Sequence, residues 1–303
     1  MTGRPSTQEE CLDWMRLLAS RRRFGERDRR GTAHLIDDDA RSRAVTSMRS
    51  GDAISLGRPL VPVASIRGDG LPGFQMNRYR AAIGFLDVGT DHVELDCHGS
   101  ASTHLDAFNH VGLDDTWYSG WGIDEMDACG VDEFAIRPVF TRGVLADIPG
   151  ARGTDWVEPD EPVGGDDIDK ALAQAGVEFQ PGDALLLYMG RDKWEAQYGV
   201  YAPYEDDAPA TTPGVGHAGT EWIVQHDASV LCWDFQDAHH PSEPQISAHV
   251  LIWSIGLLVV DSCDFSRVIP VARQRRQFVG AFTVAPLLID GATGCTVNPT
   301  LIV

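Results

Sequence analysis

The stretch Cys97-His98-Gly99-Ser100-Ala101-Ser102-Thr103-His104-Leu105-Asp106-Ala107-Phe108-Asn109-His110 packs three of the chain's ten histidines into thirteen residues, with a carboxylate among them. Neutral imidazole and carboxylate are the usual ligands of zinc, manganese and similar divalent ions. His104 and Asp106 are two apart, so an extended strand points both side chains to one face, with Cα atoms about 6.6 Å apart. His98 comes six residues earlier. A straight strand would carry it about 20 Å away, so sharing an ion requires the chain to fold back, and Gly99-Ser100 is a pair that permits it. His110 follows Asp106 by four, a spacing that a helical turn brings to one side.

Further along, His249 precedes the apolar run 250–260, and Asp261 ends it. The run predicts a helix that breaks at Gly256, then a buried strand over 257–260, with His249 and Asp261 at the two ends of a compact turn of chain. A lone histidine before an apolar run is ordinarily structural.

These residues resemble the metal-dependent cyclase family, which includes bacterial kynurenine formamidase and isatin hydrolase. Its signature is His-x-Gly-Thr-His-x-Asp-x-Pro-x-His. Thr103-His104-Leu105-Asp106 and His110 match in place, while Ser100 stands where short members have their first histidine and Phe108 where they have proline. Longer members read His-Gly-x-x-x-Thr-His-x-Asp-Ala, which His98 to Ala107 fits. The resemblance implies that His98, His104 and Asp106 hold a first ion. His249 and Asp261 hold a second or complete the first, as a histidine and a glutamate twelve apart do in short members. Aspartate is one methylene shorter than that glutamate, which could shift the ion. His110 takes the acid–base position. The ions implied are Zn2+ or Mn2+, one or two, with Asp106 bridging if there are two. The implied fold is α/β, a mixed, partly barrel-like β-sheet core flanked by helices, assembled as a homodimer or higher homo-oligomer.

Outside the cluster the chain reads as mixed α/β with many short strands. Residues 7–23 predict a helix with Ser6 or Thr7 as cap, Glu9 and Glu10 in its first turn, and Cys11, Trp14, Leu17 and Leu18 facing inward. A second helix is expected over 37–49, with Ala40, Val45 and Met48 inward. Together they suggest an N-terminal helical segment, 1–50, packing on one domain, 51–303. The arginine-rich stretch between the helices reads as solvated or dimer-facing. Strands are expected at 53–56, 80–86, 92–97, 139–147, 184–189 and 230–235, and helices at 166–174 and 218–226. The ending, 278–288 and then Gly291 to Val297, resembles the family's terminal strand and its Gly-Thr-Gly turn, which implies a strand over 278–288. Trp117, Tyr118 and Trp121 suit a pocket wall or a core cover equally. Residues 191–216 read as a long irregular loop. Adjacent side chains of a strand face apart, so His239 and His240 are left as loop residues, with His240 a candidate substrate contact.

With 303 residues, 43% of them apolar, the chain can bury a sizeable core. Its net charge of −20 argues against nucleic-acid or anionic-membrane partners. The six cysteines include no Cys-x-x-Cys pair, so a thiolate metal site or redox motif has no support. The start lacks a signal peptide's apolar core, and no run of about 18 apolar residues occurs; a cytoplasmic protein with a small-molecule substrate is expected.

A divalent ion held by histidine and aspartate lowers the pKa of water and polarises a carbonyl. The expected activity is hydrolysis of a C–N bond in an amide, formamide or lactam, with the aromatic loops pointing to an aromatic compound. The leaving nitrogen needs a proton, the task assigned to His110. Two alternatives stand beside it. One is ring closure or dehydration in a natural-product pathway on the same Lewis acid. The other is a non-catalytic binding protein on an inherited fold.

Overall fold

The computed structural model describes residues 7–60, 73–100, 102–201, 210–245 and 247–303. The first part of the chain forms α1 (Gln8–Ser20), α2 (Asp38–Ser47), β1 (Ala53–Ser55), β2 (Phe74–Ile83), β3 (Leu86–Leu95), β4 (His104–Asp106) and α3 (Asp132–Ile136). The middle forms β5 (Val139–Asp147), α4 (Ile148–Arg152), α5 (Gly165–Ala175), β6 (Ala184–Tyr188), α6 (Arg191–Tyr198), β7 (Gly214–Val215), α7 (His217–Gln225), β8 (Val230–Trp233) and β9 (Gln236–Asp237). The last part adds α8 (Val250–Ile255), β10 (Leu258–Asp261), α9 (Val268–Arg275), β11 (Val279–Val284), β12 (Gly294–Thr296) and β13 (Thr300–Ile302).

Nine strands form one mixed, partly barrel-like sheet in the order β1-β13-β11-β5-β6-β8-β10-β4-β12. Its centre, β5, β6, β8 and β10, is parallel. These strands are buried along nearly their whole length, which is why they read as apolar runs without alternation. Both flanks are antiparallel: β11, β13 and β1 on one side, β4 and β12 on the other. The fold is therefore the α/β arrangement expected.

α1 begins at Thr7, whose hydroxyl accepts from the Glu10 amide; Ser6 lies outside the described residues. Its buried stripe is Cys11, Met15 and Leu18, spaced by four and three, and Leu17 is exposed, contrary to expectation. α2 likewise buries Ala40 and Ala44 and leaves Val45 exposed. α1 packs on α8, and α2 on β5 and β11. The arginines between them are stapled to one part of the body: Arg27 pairs with Glu125, Arg29 with Asp132 and Arg30 with Glu133. Trp117 and Tyr118 are buried in the core, while Trp121 lies under the Arg27 guanidinium, 3.7 Å from ring centre to Cζ.

Three expectations are corrected. The strand placed at 80–86 spans a turn. Gly84, with φ of 61°, is the first central residue of a two-residue hairpin joining β2 to β3, the position that demands glycine in a turn of this kind. The strand placed at 278–288 stops at Val284. Residues 191–216 are not all irregular, since α6 occupies Arg191–Tyr198. Its first turn is capped from a distance: the buried Asp234 carboxylate accepts the amides of Met189, Gly190 and Arg191. Tyr204, counted in that loop, lies outside the described residues.

Candidate metal centre

β4 runs antiparallel to β10, and the register sets His104 opposite Asp261. β12 flanks β4 on its other side, pairing Thr296 with His104 and Gly294 with Asp106. The centre thus forms where parallel strand β10 ends, at the carboxyl edge where open α/β sheets place ligands. His104 and Asp106 share one face of β4, as the spacing predicts, with His104 Nε2 3.5 Å from Asp106 Oδ1. The chain folds back at Gly99, φ 101°, and this returns His98 to the cluster with Nδ1 3.1 Å from Asp106 Oδ1. Gly294 makes room for that ring, since a Cβ there would lie 2.6 Å from His98 Cε1. The Ser100 carbonyl is turned away, to Arg191 Nη2 at 2.7 Å. After β4 the chain makes a tight turn, with the His110 amide donating to the Ala107 carbonyl, and His110 Nε2 comes to 3.9 Å from Asp106 Oδ1. The His98 and His110 rings stack in parallel, 3.8 Å between centres.

The second constellation closes on the first. α8 ends at Gly256, left-handed at φ 67°, and the chain returns as β10. His249 Nε2 lies 3.1 Å from Asp261 Oδ2 and 3.9 Å from Asp106 Oδ2. Asp261 is also 3.8 Å from His104 Nε2. All six residues singled out in the sequence therefore meet at one place: His98, His104, Asp106, His110, His249 and Asp261. His239 and His240 stay apart from it; His240 bonds Ser242.

Sequence reading missed the residues that orient this set. Asp237, on β9, accepts from His249 Nδ1 and from the Ala248 amide. Trp233 Nε1 and Gln236 Nε2 donate to Asp261. Thr293 Oγ1 lies 3.0 Å from His98 Nε2. Arg191, fully buried, bonds the Ser100 carbonyl and Ser262 Oγ, tying the His98–His104 turn to the residue after Asp261. No local spacing announces these partners, because each is brought in by the tertiary fold from another element of the chain.

The electrostatics of the cluster are set by burial working against close opposite charges. Burial opposes charge on Asp106, but His110, His98 and His104 outweigh it and hold the carboxyl below its ordinary pKa. Burial likewise opposes charge on Asp261, and His249 and His104 hold it well below. His98 is pushed up to about 10 as its carboxylate partner overcomes burial, whereas burial pushes His110 down to about 4. His249 is raised far above its ordinary value, because Asp261 and Asp237 outweigh burial.

A divalent ion fits the donors present. His104 Nδ1 must donate to the Ser102 carbonyl at 2.9 Å, which leaves Nε2 turned toward Asp106 and Asp261. Asp106 Oδ2 is buried without a hydrogen-bond partner, an arrangement that costs about 1–3 kcal/mol or more unless something positive faces it. Two sets of donor atoms each lie within 4.8 Å of one another, His98/Asp106/His110 and His104/Asp106/Asp261, and Asp106 belongs to both.

A family model described as "Putative cyclase" matches residues 44–240. The chain belongs to the cyclase family. This family member resembles a crystal structure of a novel cyclase, with a TM-score of 0.81 at 19% identity over 95% of this chain and 99% of the other. It also resembles an isatin hydrolase bound to the product analogue thioisatinate, at 0.59 and 17% identity over 83% and 92%. A third is isatin hydrolase A from Labrenzia aggregata bound to benzyl benzoate, at 0.55 and 17% over 86% and 96%. These likenesses are of fold. No curated protein matches the chain. No helix among the described residues is long and apolar enough to cross a membrane.

Proposed function

We propose that this cyclase-family chain is a metal-dependent hydrolase acting on a C–N bond of an amide, formamide or lactam. The observation that carries the reading is the Asp106 carboxylate. One of its oxygens is 3.1–3.9 Å from the imidazoles of His98, His104 and His110, and the other is buried without a hydrogen-bond partner, 3.9 Å from His249 Nε2. His98, His104, Asp106, His249 and Asp261 would hold one or two divalent ions of the zinc or manganese type. When bound, such an ion polarises a carbonyl and makes water nucleophilic near neutral pH.

The chain's own groups supply the rest. Trp233 and Gln236 fix Asp261, and Asp237 fixes the His249 ring, so neither ligand needs to reorganise. His110 is the most accessible imidazole of the set, its side chain 30% exposed. With a pKa near 4 it is neutral at pH 7, free to take a proton from water and hand it to the departing nitrogen. The stacked His98 keeps a proton instead, so the two rings do not carry charge together.

The test is the metal content of the purified chain by inductively coupled plasma mass spectrometry beside His104→Ala. About one or two equivalents of zinc or manganese, lost in the variant, support the reading and lead to assays on N-formyl arylamines and lactams. No uptake, even with added metal, overturns it in favour of a non-catalytic binding protein. The family description favours ring closure as the second reading. Hydrolysis yields an acid and an amine, whereas cyclisation conserves the atoms or loses water.

A further inference from the structure

We propose that the cavity between the end of α1, the last turn of α8 and the loop 114–120 is a binding site for an aromatic carboxylate, separate from the metal centre. The cavity holds about 400 Å³, within the roughly 300–1,000 Å³ of small-molecule sites. An annex of about 190 Å³ shares Leu18, Arg23, Phe24 and Ile255 with it. The six residues of the centre are absent from the walls of both. The annex lies at the opposite edge of the sheet. Of its wall residues, Ala228 comes just before β8, and Thr32 Oγ1 accepts from the Leu258 amide at the start of β10. α8 runs between the two places, with His249 before its first turn and Trp253, Ser254 and Ile255 on the cavity.

The walls combine hydrocarbon with guanidinium. Leu18, Phe24, Trp117, Tyr118, Trp253 and Ile255 supply the apolar part. The polar atoms of three of these rings are satisfied elsewhere: Trp117 Nε1 donates to the Ile123 carbonyl, Trp253 Nε1 to Thr116 Oγ1 and Tyr118 Oη to Asp28. They therefore offer a ligand ring surface rather than hydrogen bonds. The charge comes from Arg16, Arg21, Arg22 and Arg23 against Asp114 and Asp227, a local positive excess on a chain of net charge −20. Arg16 is held by Asp114 and Arg23 by Asp227. Among the described residues, Arg22 pairs only with the exposed Glu26, through Nη1. Its Nη2 reaches the facing loop, where a Cβ on Gly120 would lie 3.7 Å away. A guanidinium with an edge to spare beside aromatic walls matches a carboxylate carried on an aromatic ring.

The backbone points to the same place. Of the eight non-glycine residues with positive φ among the described residues, four line the cavity or its annex: Arg22, Asp114, Ser119 and Asp227. Arg22, at φ 40°, follows the cap residue Arg21 of α1, the position where a helix ordinarily takes glycine. An arginine there carries a steric strain that glycine would not, and strain of this kind gathers at ligand clamps. The side chain is what glycine would lack, and it is the one that crosses the cavity. The inference depends neither on the metal nor on the hydrolase reading.

The test is isothermal titration calorimetry on the full chain, as purified and again after chelator treatment and dialysis. The probes are naphthoate, its uncharged counterpart naphthalenemethanol, and inorganic phosphate. Naphthoate is expected to bind in both preparations, more tightly than either other probe and more weakly as salt rises. Arg22→Gly relieves the left-handed strain and removes only an exposed ion pair, so its melting temperature should equal or exceed wild type. Its affinity for naphthoate should fall roughly 10–100-fold. Arg22→Lys keeps the charge without the two-pronged edge and should fall between the two. Naphthoate binding that disappears with the metal would place the acid on the centre instead. Equal binding of the alcohol would remove the carboxylate from the proposal, equal binding of phosphate would remove the ring, and unchanged affinity in Arg22→Gly would remove the arginine. Each of these results overturns the proposal, as does the absence of any naphthoate binding.

Discussion

His249 shows how much of the centre is decided by side chains outside the proposed metal-holding set. Its Nδ1 faces the Asp237 carboxylate and its Nε2 faces Asp261. Replacing Asp237 with Asn keeps the shape and removes the charge that orients the ring. Such a change lowers metal affinity by about 10–100-fold in comparable sites. The expected result is that loss in a competitive chelator titration, with an unchanged circular dichroism spectrum; unchanged affinity would show that Asp237 only packs. The protonation pattern makes a second prediction. His98 and His249 hold protons at neutral pH in the ion-free centre, and ligands must be deprotonated to bind. Uptake should therefore release about one or two protons at pH 7, and affinity should rise with pH toward 10. Calorimetry in buffers of different ionisation enthalpy reads this directly: a heat independent of buffer would exclude it.

At the level of elements, the short helix α8 is the hinge between the two halves of the centre. Gly256 ends it at φ 67°, and a Cβ there would lie 2.6 Å from Gly31 Cα and 2.7 Å from the Tyr118 ring. Gly256→Ala combines left-handed strain with a backbone clash, each worth about 1–3 kcal/mol. It should lower Tm by several degrees and weaken metal retention, because β10 and Asp261 follow directly. A melting curve equal to wild type would refute this. The same helix explains what was legible in the sequence. A continuous apolar run broken by one glycine gave helix, turn and buried strand to within one residue, and the twelve-residue interval, read through the family resemblance, paired His249 with Asp261. The parallel strands were legible for the same reason, being buried on both faces. α6 was not, because its first turn is satisfied by Asp234, a residue more than forty positions away. The exposed ribbon was only partly read: short apolar runs suggested strands at 80–86 and 92–97, which cover the end of β2 and the end of β3, and the turn at Gly84 was absorbed into the first of them. Asp237, Arg191 and Thr293 carry no spacing signal at all, since only the tertiary fold brings them, from β9, α6 and the loop before β12, to the centre.

For the whole molecule, the proposed metal centre ties pH to stability, and a bound ion should enter the same balance. Two groups set the pH limits of the ion-free protein. His110 is depressed to about 4 in the fold against about 6.5 when unfolded. The unfolded chain then binds the extra proton, and stability is lost as pH falls from 6.5 toward 4. His98 is raised to about 10. Its contribution is complete below 6.5 and is lost as pH rises toward 10, when the proton that neutralises Asp106 leaves. The ion-free protein should therefore be most stable near pH 6.5 and decline on both sides. A bound divalent ion takes over the neutralising task without a proton, so the alkaline decline should largely disappear. At metal concentrations about a thousand times Kd the ion adds about 4 kcal/mol, which for a chain of this size amounts to a Tm gain on the order of 10 °C. Calorimetric melting between pH 7 and 9, with EDTA and with zinc restored, should show a gap between the two forms that widens with pH. A constant gap would mean that His98 does not stand in for the metal, and no gap would remove the ion from the folded state altogether.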